Sequence, residues 1–254
     1  MYFESHAHYD SKQFKNDREE LLTKLLPAAG VEYVINIGCN IRSSQQSIRL
    51  AERFDYIYAA VGIHPHDLYD MSSQTIEDLR KMSEHKKVIA IGEMGLDYHY
   101  DTHPREYQQF WFRQQLRLAE AVNKPVIIHS RDASQETFDI MEGSPVRSGV
   151  IHCYSGAAPM AMDYVKMGFH IGIGGVITYS NAKKMVEVVE CVPLEKILIE
   201  TDAPYLAPTP FRGKRNDSRY LQYVVEKVAE IKETTPEIVA KVTAENAKLL
   251  FFKK

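Results

Sequence analysis

The sequence predicts a (β/α)8 barrel, and three observations lead there. Eight short β-branched runs alternate with longer amphipathic stretches over 254 residues. Several runs are apolar without a break, as in Val126-Ile127-Ile128 and Ile197-Leu198-Ile199. That pattern suits parallel strands covered on both faces. Polar residues suited to metal chemistry recur at the C-terminal ends of the runs, the rim where barrels of this type carry their sites. A doubly wound open sheet is the rival architecture.

In chain order, the strands are expected at Tyr2 to His8, Glu32 to Gly38, Tyr56 to His64 and Val88 to Leu96. Four more follow at Val126 to Arg131, Val150 to Tyr154, Phe169 to Val176 and Ile197 to Asp202. The clearest helix between them runs from Pro104 to Asn123, with Tyr107, Trp111, Leu118 and Val122 on one face at a period near 3.6. Its aromatic residues read as core. The last helices are marked by Leu221, Val224, Val225 and Val228, and by Thr235-Pro236, a cap followed by a first-turn proline. Gly172-Ile173-Gly174-Gly175 lacks the spacing of a phosphate loop and reads as relief of crowding at the seventh strand. No Pro/Gly/Ser-rich linker or charge block divides the chain, so residues 1–254 are expected to form a single domain.

Composition narrows the function. Hydrophobic residues make up 44% and charged residues 26%, which excludes disordered, collagenous and disulfide-dense classes. No apolar run approaches the roughly 18 residues of a membrane helix, and no signal peptide is read before Tyr2-Phe3-Glu4. Cys39, Cys153 and Cys191 are odd in number and lack metal-type spacing, so a cytoplasmic location is expected. The net charge of −3 argues against a general nucleic-acid coat protein. It leaves room for an enzyme that holds one phosphate locally. No heptad pattern or apolar stripe assigns an oligomeric state.

The polar residues converge. His6 and His8 end the first strand, His64 the third and His129 the fifth, while Asp202 ends the eighth. Glu93 and His152 lie late in the fourth and sixth. In a parallel barrel all of them reach one rim. His6 and His8 are two apart, so on a strand they face the same side and can hold one ion. Imidazoles with carboxylates suit Zn2+, Mn2+, Ni2+ or Mg2+. The donors exceed the needs of one ion, so two are expected, with Glu93 placed to bridge them and clamp a transferring phosphoryl group. His66, His85, His99 and His103 sit in polar stretches and read as solvated; His170 stands at the wrong end of its strand.

Ordered blocks of sequence carry a resemblance. Glu4-Ser5-His6-Ala7-His8, Gly62-Ile63-His64-Pro65-His66 and Gly92-Glu93-Met94-Gly95-Leu96-Asp97-Tyr98 resemble motifs of the TatD family. So do Pro125 to Arg131, His152-Cys153-Tyr154-Ser155-Gly156, Glu200-Thr201-Asp202-Ala203-Pro204-Tyr205 and Arg212-Gly213-Lys214-Arg215-Asn216. The resemblance implies a metal-dependent deoxyribonuclease on an amidohydrolase-type barrel. Under it, His6, His8, Glu93 and Asp202 would hold one metal, and Glu93, His129 and His152 the other. It further implies action at DNA ends, as a 3′-5′ exonuclease. Hydrolysis of D-aminoacyl-tRNA or another ester or amide is the alternative, and a non-catalytic metal-binding scaffold the second. Two departures stand out: Glu4 where the family usually has Asp, and Asp217-Ser218 where it often has Glu-Pro. A carboxylate at position 4, expected on the inner face of the first strand, would tune metal affinity as a support for the ligands.

The mechanism expected is metal-assisted phosphodiester hydrolysis, with Asp202 as general base as well as ligand and Glu93 as the other catalytic carboxylate. His64 and Arg131 are expected to neutralise the phosphate. Tyr98 or Tyr205 would stack on a terminal base. Arg212, Lys214 and Arg215, three charges within four residues beyond the last strand, would form a basic lip that guides the polynucleotide.

Overall fold

The computed structural model describes residues 1–252. Its strands are β1 Tyr2–Ala7, β2 Val31–Ile37, β3 Ile57–Val61, β4 Val88–Asp97, β5 Val126–Arg131, β6 Gly149–Ile151, β7 His170–Ile173 and β8 Ile197–Ile199. They pair in chain order, each parallel to the next. Parallel neighbours need crossovers, and the amphipathic stretches supply them as helices. The sheet curls until the segment after β8 meets β1. There Ala7 bridges Ala203, the His8 N–H donates to Ala203 O at 2.7 Å, and the Asp202 N–H donates to His6 O at 3.0 Å. The seam of the barrel therefore runs through three of the rim residues.

Side chains alternate across the strands. Val34, Val126, Ile128, Ile151, Ile197 and Ile199 belong to a large buried cluster shared with the helices. Their neighbours Ile35, Ile127, Val150 and Leu198 form a second cluster within the barrel. Phe251 and Phe252 pack on Phe3 with ring centroids 6.2 and 5.6 Å away, which closes the end opposite the rim. The helix Arg105–Ala121 buries Trp111, Phe112 and Leu118, as its periodicity predicts. Thr235 caps the helix Pro236–Phe251 by accepting from the Ile238 N–H. At β7, a Cβ on Gly172 would lie 2.7 Å from Glu200 Oε2, so glycine there does make room for a neighbouring side chain. No helix among the described residues is long and apolar enough to cross a membrane.

Four strands stop three residues earlier than the sequence predicts. β3 ends at Val61 rather than His64, β6 at Ile151 rather than Tyr154, and β8 at Ile199 rather than Asp202. The backbone explains two of them: Cys153 and Asp202 take φ of 43° and 57°, the left-handed region, which turns the chain out of the sheet. β7 ends at Ile173, because Gly175–Thr178 winds into a short 3-10 turn instead of extending to Val176. The reactive residues thus stand on the first turns beyond the strands as well as on them.

Candidate metal centre

Glu93 is the hub of the rim. It is 3% exposed, on the long strand β4, and its carboxylate faces five imidazoles from four different elements. His129 Nδ1 lies 3.0 Å away, His6 Nε2 3.3 Å, His152 Nε2 3.7 Å, His64 Nε2 3.8 Å and His8 Nε2 3.9 Å. Asp202 Oδ1 completes the ring, 3.4 Å from His8 Nε2 and 3.8 Å from His6 Nε2. His6 and His8 do face the same side, with their Nε2 atoms 3.2 Å apart. The His152 ring stacks on His6 at 3.4 Å between centroids. Ligand atoms within 4.8 Å of one another are offered by His6, His8 and Glu93, by His6, His152 and Asp202, and by His64, Glu93 and His129. The geometry brings all six expected ligands together and adds His64, which the sequence reading set aside for the phosphate.

A second layer holds the rings. Glu200 Oε1 is 2.9 Å from His152 Nδ1 and also accepts from the Cys153 N–H at 2.5 Å. Asp97 Oδ2 is 3.1 Å from His129 Nε2 and 2.9 Å from His66 Nε2. The backbone carbonyl of Ile37 meets His8 Nδ1 at 3.2 Å. Contacts of this kind at the far ring nitrogen fix the tautomer and aim of a ligating histidine. Sequence reasoning quoted Asp97 and Glu200 within motifs without giving either a task. Their signal was position: each is a carboxylate at the end of a strand that already carried a candidate ligand. His66, expected to be solvated, is a third exposed and packs between Asp97 and the His64 and His129 rings.

The charges are tightly coupled. Burial pushes the Glu93 carboxyl up, but His6, His64 and His129 outweigh it and hold it well below its ordinary value. Burial likewise lowers His152, yet Glu200, Glu93 and Asp202 prevail and raise it to about 9. His64 is driven well below its usual value by burial and by His129. A buried carboxylate that stays ionised, beside imidazoles of which some (His8, His129 and His152) are raised and others (His6 and His64) lowered, is a site that demands positive charge. A divalent cation meets that demand, and a nitrogen–oxygen donor set fits Zn2+ or Mn2+ better than an all-oxygen ion such as Ca2+.

Glu4 is placed elsewhere than expected. The pairing of β1 with β2 shifts register between Glu4 and Ala7, and the Glu4 carboxylate turns to the segment after β8. Oε1 accepts from the N–H groups of His6 (3.1 Å) and Thr201 (2.9 Å). Oε2 accepts from Thr201 Oγ1 (2.6 Å) and Ser218 Oγ (2.7 Å). Burial raises its pKa to about 7 against the pull of those four donors. Glu4 thus ties the backbone beside His6 to the backbone beside Asp202.

The expected substrate residues divide. Tyr205 is 52% exposed with its ring edge-on to His8 at 6.3 Å, open for stacking. Tyr98 is not: it is 7% exposed, its hydroxyl accepts from Gln109, and Arg105 covers its ring at 4.3 Å. The exposed ring on that side is Tyr100, two residues on, with the Arg131 guanidinium 4.9 Å from its centroid and His66 edge-on at 5.1 Å. Arg131 itself is exposed and has no ion pair among the described residues, since Asp132 pairs with His99. In the lip, Lys214 is exposed and Arg212 lies 4.5 Å over the Tyr179 ring. Arg215 leaves the lip altogether: it pairs with both Asp17 oxygens, at 2.8 and 2.5 Å, and covers Phe14.

Comparison with known proteins adds names to this geometry. The family model described as TatD related DNase matches residues 3–252. The uncharacterized metal-dependent hydrolase YabD of Bacillus subtilis is 44% identical over 253 residues, covering 99% of each chain. The 3′-5′ ssDNA/RNA exonuclease TatD of Escherichia fergusonii is 34% identical, over 98% of each. The crystal structure of YjjV, a TatD homologue from Escherichia coli K12, superposes with a TM-score of 0.93 at 33% identity, over 100% of this chain and 98% of that one.

Proposed function

The chain belongs to the TatD-related DNase family, and on that premise we propose that it is a metal-dependent exonuclease trimming single-stranded nucleic acid from the 3′ end. One observation carries the reading: five imidazoles and Asp202 gather around the buried carboxylate of Glu93. The first ion is assigned to His6, His8, Glu93 and Asp202. The second is assigned to Glu93, His129 and His64; His152 groups with His6 and Asp202 and lies 3.7 Å from Glu93. Zn2+ and Mn2+ suit the donors best.

Bound divalent ions supply Lewis acidity toward a phosphoryl oxygen and lower the pKa of water. The chain supplies the rest. Asp202, the less buried of the two carboxylates, accepts the proton of the attacking water. Glu93 holds the ligands in register around one centre. Arg131 presents a planar fork to the phosphate oxygens, and its seat on Tyr100 limits its freedom. Tyr205 and Tyr100 stand on opposite sides of the cluster, beside His8 and His66, and offer flat faces to bases flanking the cleaved bond.

The direct test uses a single strand labelled at its 5′ end. The reading expects a ladder that shortens one nucleotide at a time while the label stays on the strand. Immediate release of the label as a mononucleotide would reverse the polarity. An uncut strand alongside hydrolysis of an aminoacyl-tRNA ester would replace the substrate class.

A further inference from the structure

Beyond the metal centre, a cleft of about 300 Å3 opens on the same rim between the segment after β6 and the segment after β7 with the helix that follows it. Val176, Tyr179 and Met185 give it an apolar floor; Asn181, Lys183 and Lys184 give it a polar wall. Ser155, at the edge of this cleft, also lines a small pocket that His152 borders, so the cleft begins three residues along the chain from a member of the metal centre. Overhead, Arg212 lies on the outer face of Tyr179. The roof is fixed rather than loose. Tyr179 Oη donates to Ala207 O at 3.0 Å, and the Thr209 N–H donates to Thr178 Oγ1 at 2.8 Å. A Cβ on Gly175 would collide with Leu206 O, so glycine is what lets the β8 loop lie this close.

Charge marks the cleft. Among the described residues Lys183, Lys184, Arg212 and Lys214 pair with no carboxylate, in a chain whose net charge is −3. Arg215, by contrast, is neutralised by Asp17. Lys183 and Lys184 beside an apolar floor, with Arg212 on its Tyr179, fit a ligand with alternating phosphates and flat rings. A purely acidic peptide would use the cations and leave the floor empty; a lipid or apolar ligand would do the reverse.

We infer that this cleft is a second binding site, one that takes the sugar-phosphate backbone of single-stranded nucleic acid as it leads away from the metal centre. The inference rests on the exonuclease reading for its orientation: the terminal nucleotide sits at the metals, and the nucleotides just 5′ of it lie across Ser155 into the cleft. Bases rest on Tyr179 and Met185, while Lys183, Lys184 and Arg212 face phosphates. The site would make the enzyme prefer strands several nucleotides long over dinucleotides, because only the longer ligand reaches both places.

The test measures binding of phosphorothioate oligothymidylates, which resist cleavage, by fluorescence anisotropy on the metal-loaded protein. Two lengths serve, a dinucleotide and a strand of ten. The charge reversal Lys183→Glu/Lys184→Glu should weaken the ten-nucleotide strand at least tenfold and leave the dinucleotide unchanged. The slope of log affinity against log salt should flatten by about 1.4, the release expected for two single-strand phosphate contacts. The milder Lys183→Gln/Lys184→Gln, with unchanged metal content, should show the same trend at smaller size. Equal affinity and equal slope in both variants would overturn the cleft, even if the enzyme still trims DNA. Lysine-dependent binding of the long strand by a protein that cuts no nucleic acid would keep the cleft and sink the exonuclease reading.

Discussion

Ser218 Oγ donates to Glu4 Oε2 at 2.7 Å, so a side chain of β1 and one of the segment beyond β8 meet across the seam of the barrel. The contact is buried, and it is reinforced by Tyr9, whose hydroxyl lies 2.6 Å from Ser218 Oγ and accepts from the Ser218 N–H at 2.8 Å. Glu4 in turn holds the Thr201 backbone. The longer carboxylate and the hydroxyl act as one unit that ties β1 to the β8 loop across the seam of the barrel. Ser218→Ala should therefore cost about 1–3 kcal/mol in urea denaturation, the usual effect of removing a partner from a buried charged acceptor. Glu4→Asp should cost a similar amount, and the double variant less than the sum. Strict additivity would show that the pair is not coupled.

Glu200 gives a prediction on metal affinity. It touches no expected ligand atom of His152 but holds the ring's other nitrogen. Glu200→Gln should weaken metal binding by roughly 10–100-fold in chelator competition while leaving circular dichroism unchanged. Undiminished affinity would remove Glu200 from the account.

The two tyrosines separate cleanly. Tyr205→Ala should raise KM for single strands by an amount equivalent to about 1–3 kcal/mol, with kcat little changed. Tyr98→Phe should change neither, because that ring is buried under Arg105. A KM effect at Tyr98 alone would reverse the assignment.

In the chelated protein, pH acts through His152 and Glu4. His152 in the fold titrates near 9, against an ordinary 6.5, so its contribution to stability is full below about pH 6.5 and lost as pH rises through 9. Glu4, raised from 4.5 to about 7, acts in the same sense: its contribution fades as pH rises through 7. Denaturation midpoints of the metal-free protein should fall between pH 6.5 and 9. Metal binding should strengthen over the same range, because protons compete for the imidazoles. A midpoint that rises with pH would contradict both assignments.

Much of this was legible in the chain. Eight apolar runs with polar residues at one end fixed the barrel and gathered six of the cluster's residues, because strand periodicity and parallel order are local patterns. What escaped was set by tertiary detail. Tyr98 and Tyr100 share a spacing on the chain, and only the position of Arg105 decides which is covered. Arg215 reads as one more basic residue of the lip until the fold brings Asp17, 198 positions earlier, against it. Glu4 reads as a support for the ligands on the inner face, and only the fold shows its carboxylate taken up by Thr201 and Ser218 beyond β8. His64 read as a phosphate contact and His66 as solvated, and the fold brings both to the cluster at different depths.

Metal content measured together with turnover tests the central claim most directly, on wild type and on Asp202→Asn. The account predicts roughly one to two divalent ions per chain. Trimming of a 5′-labelled single strand should stop with chelator and return with Zn2+ or Mn2+. Asp202→Asn should keep its fold and lose about 10^2–10^4-fold in turnover. Trimming that survives exhaustive chelation, or near-normal turnover in Asp202→Asn, would contradict it.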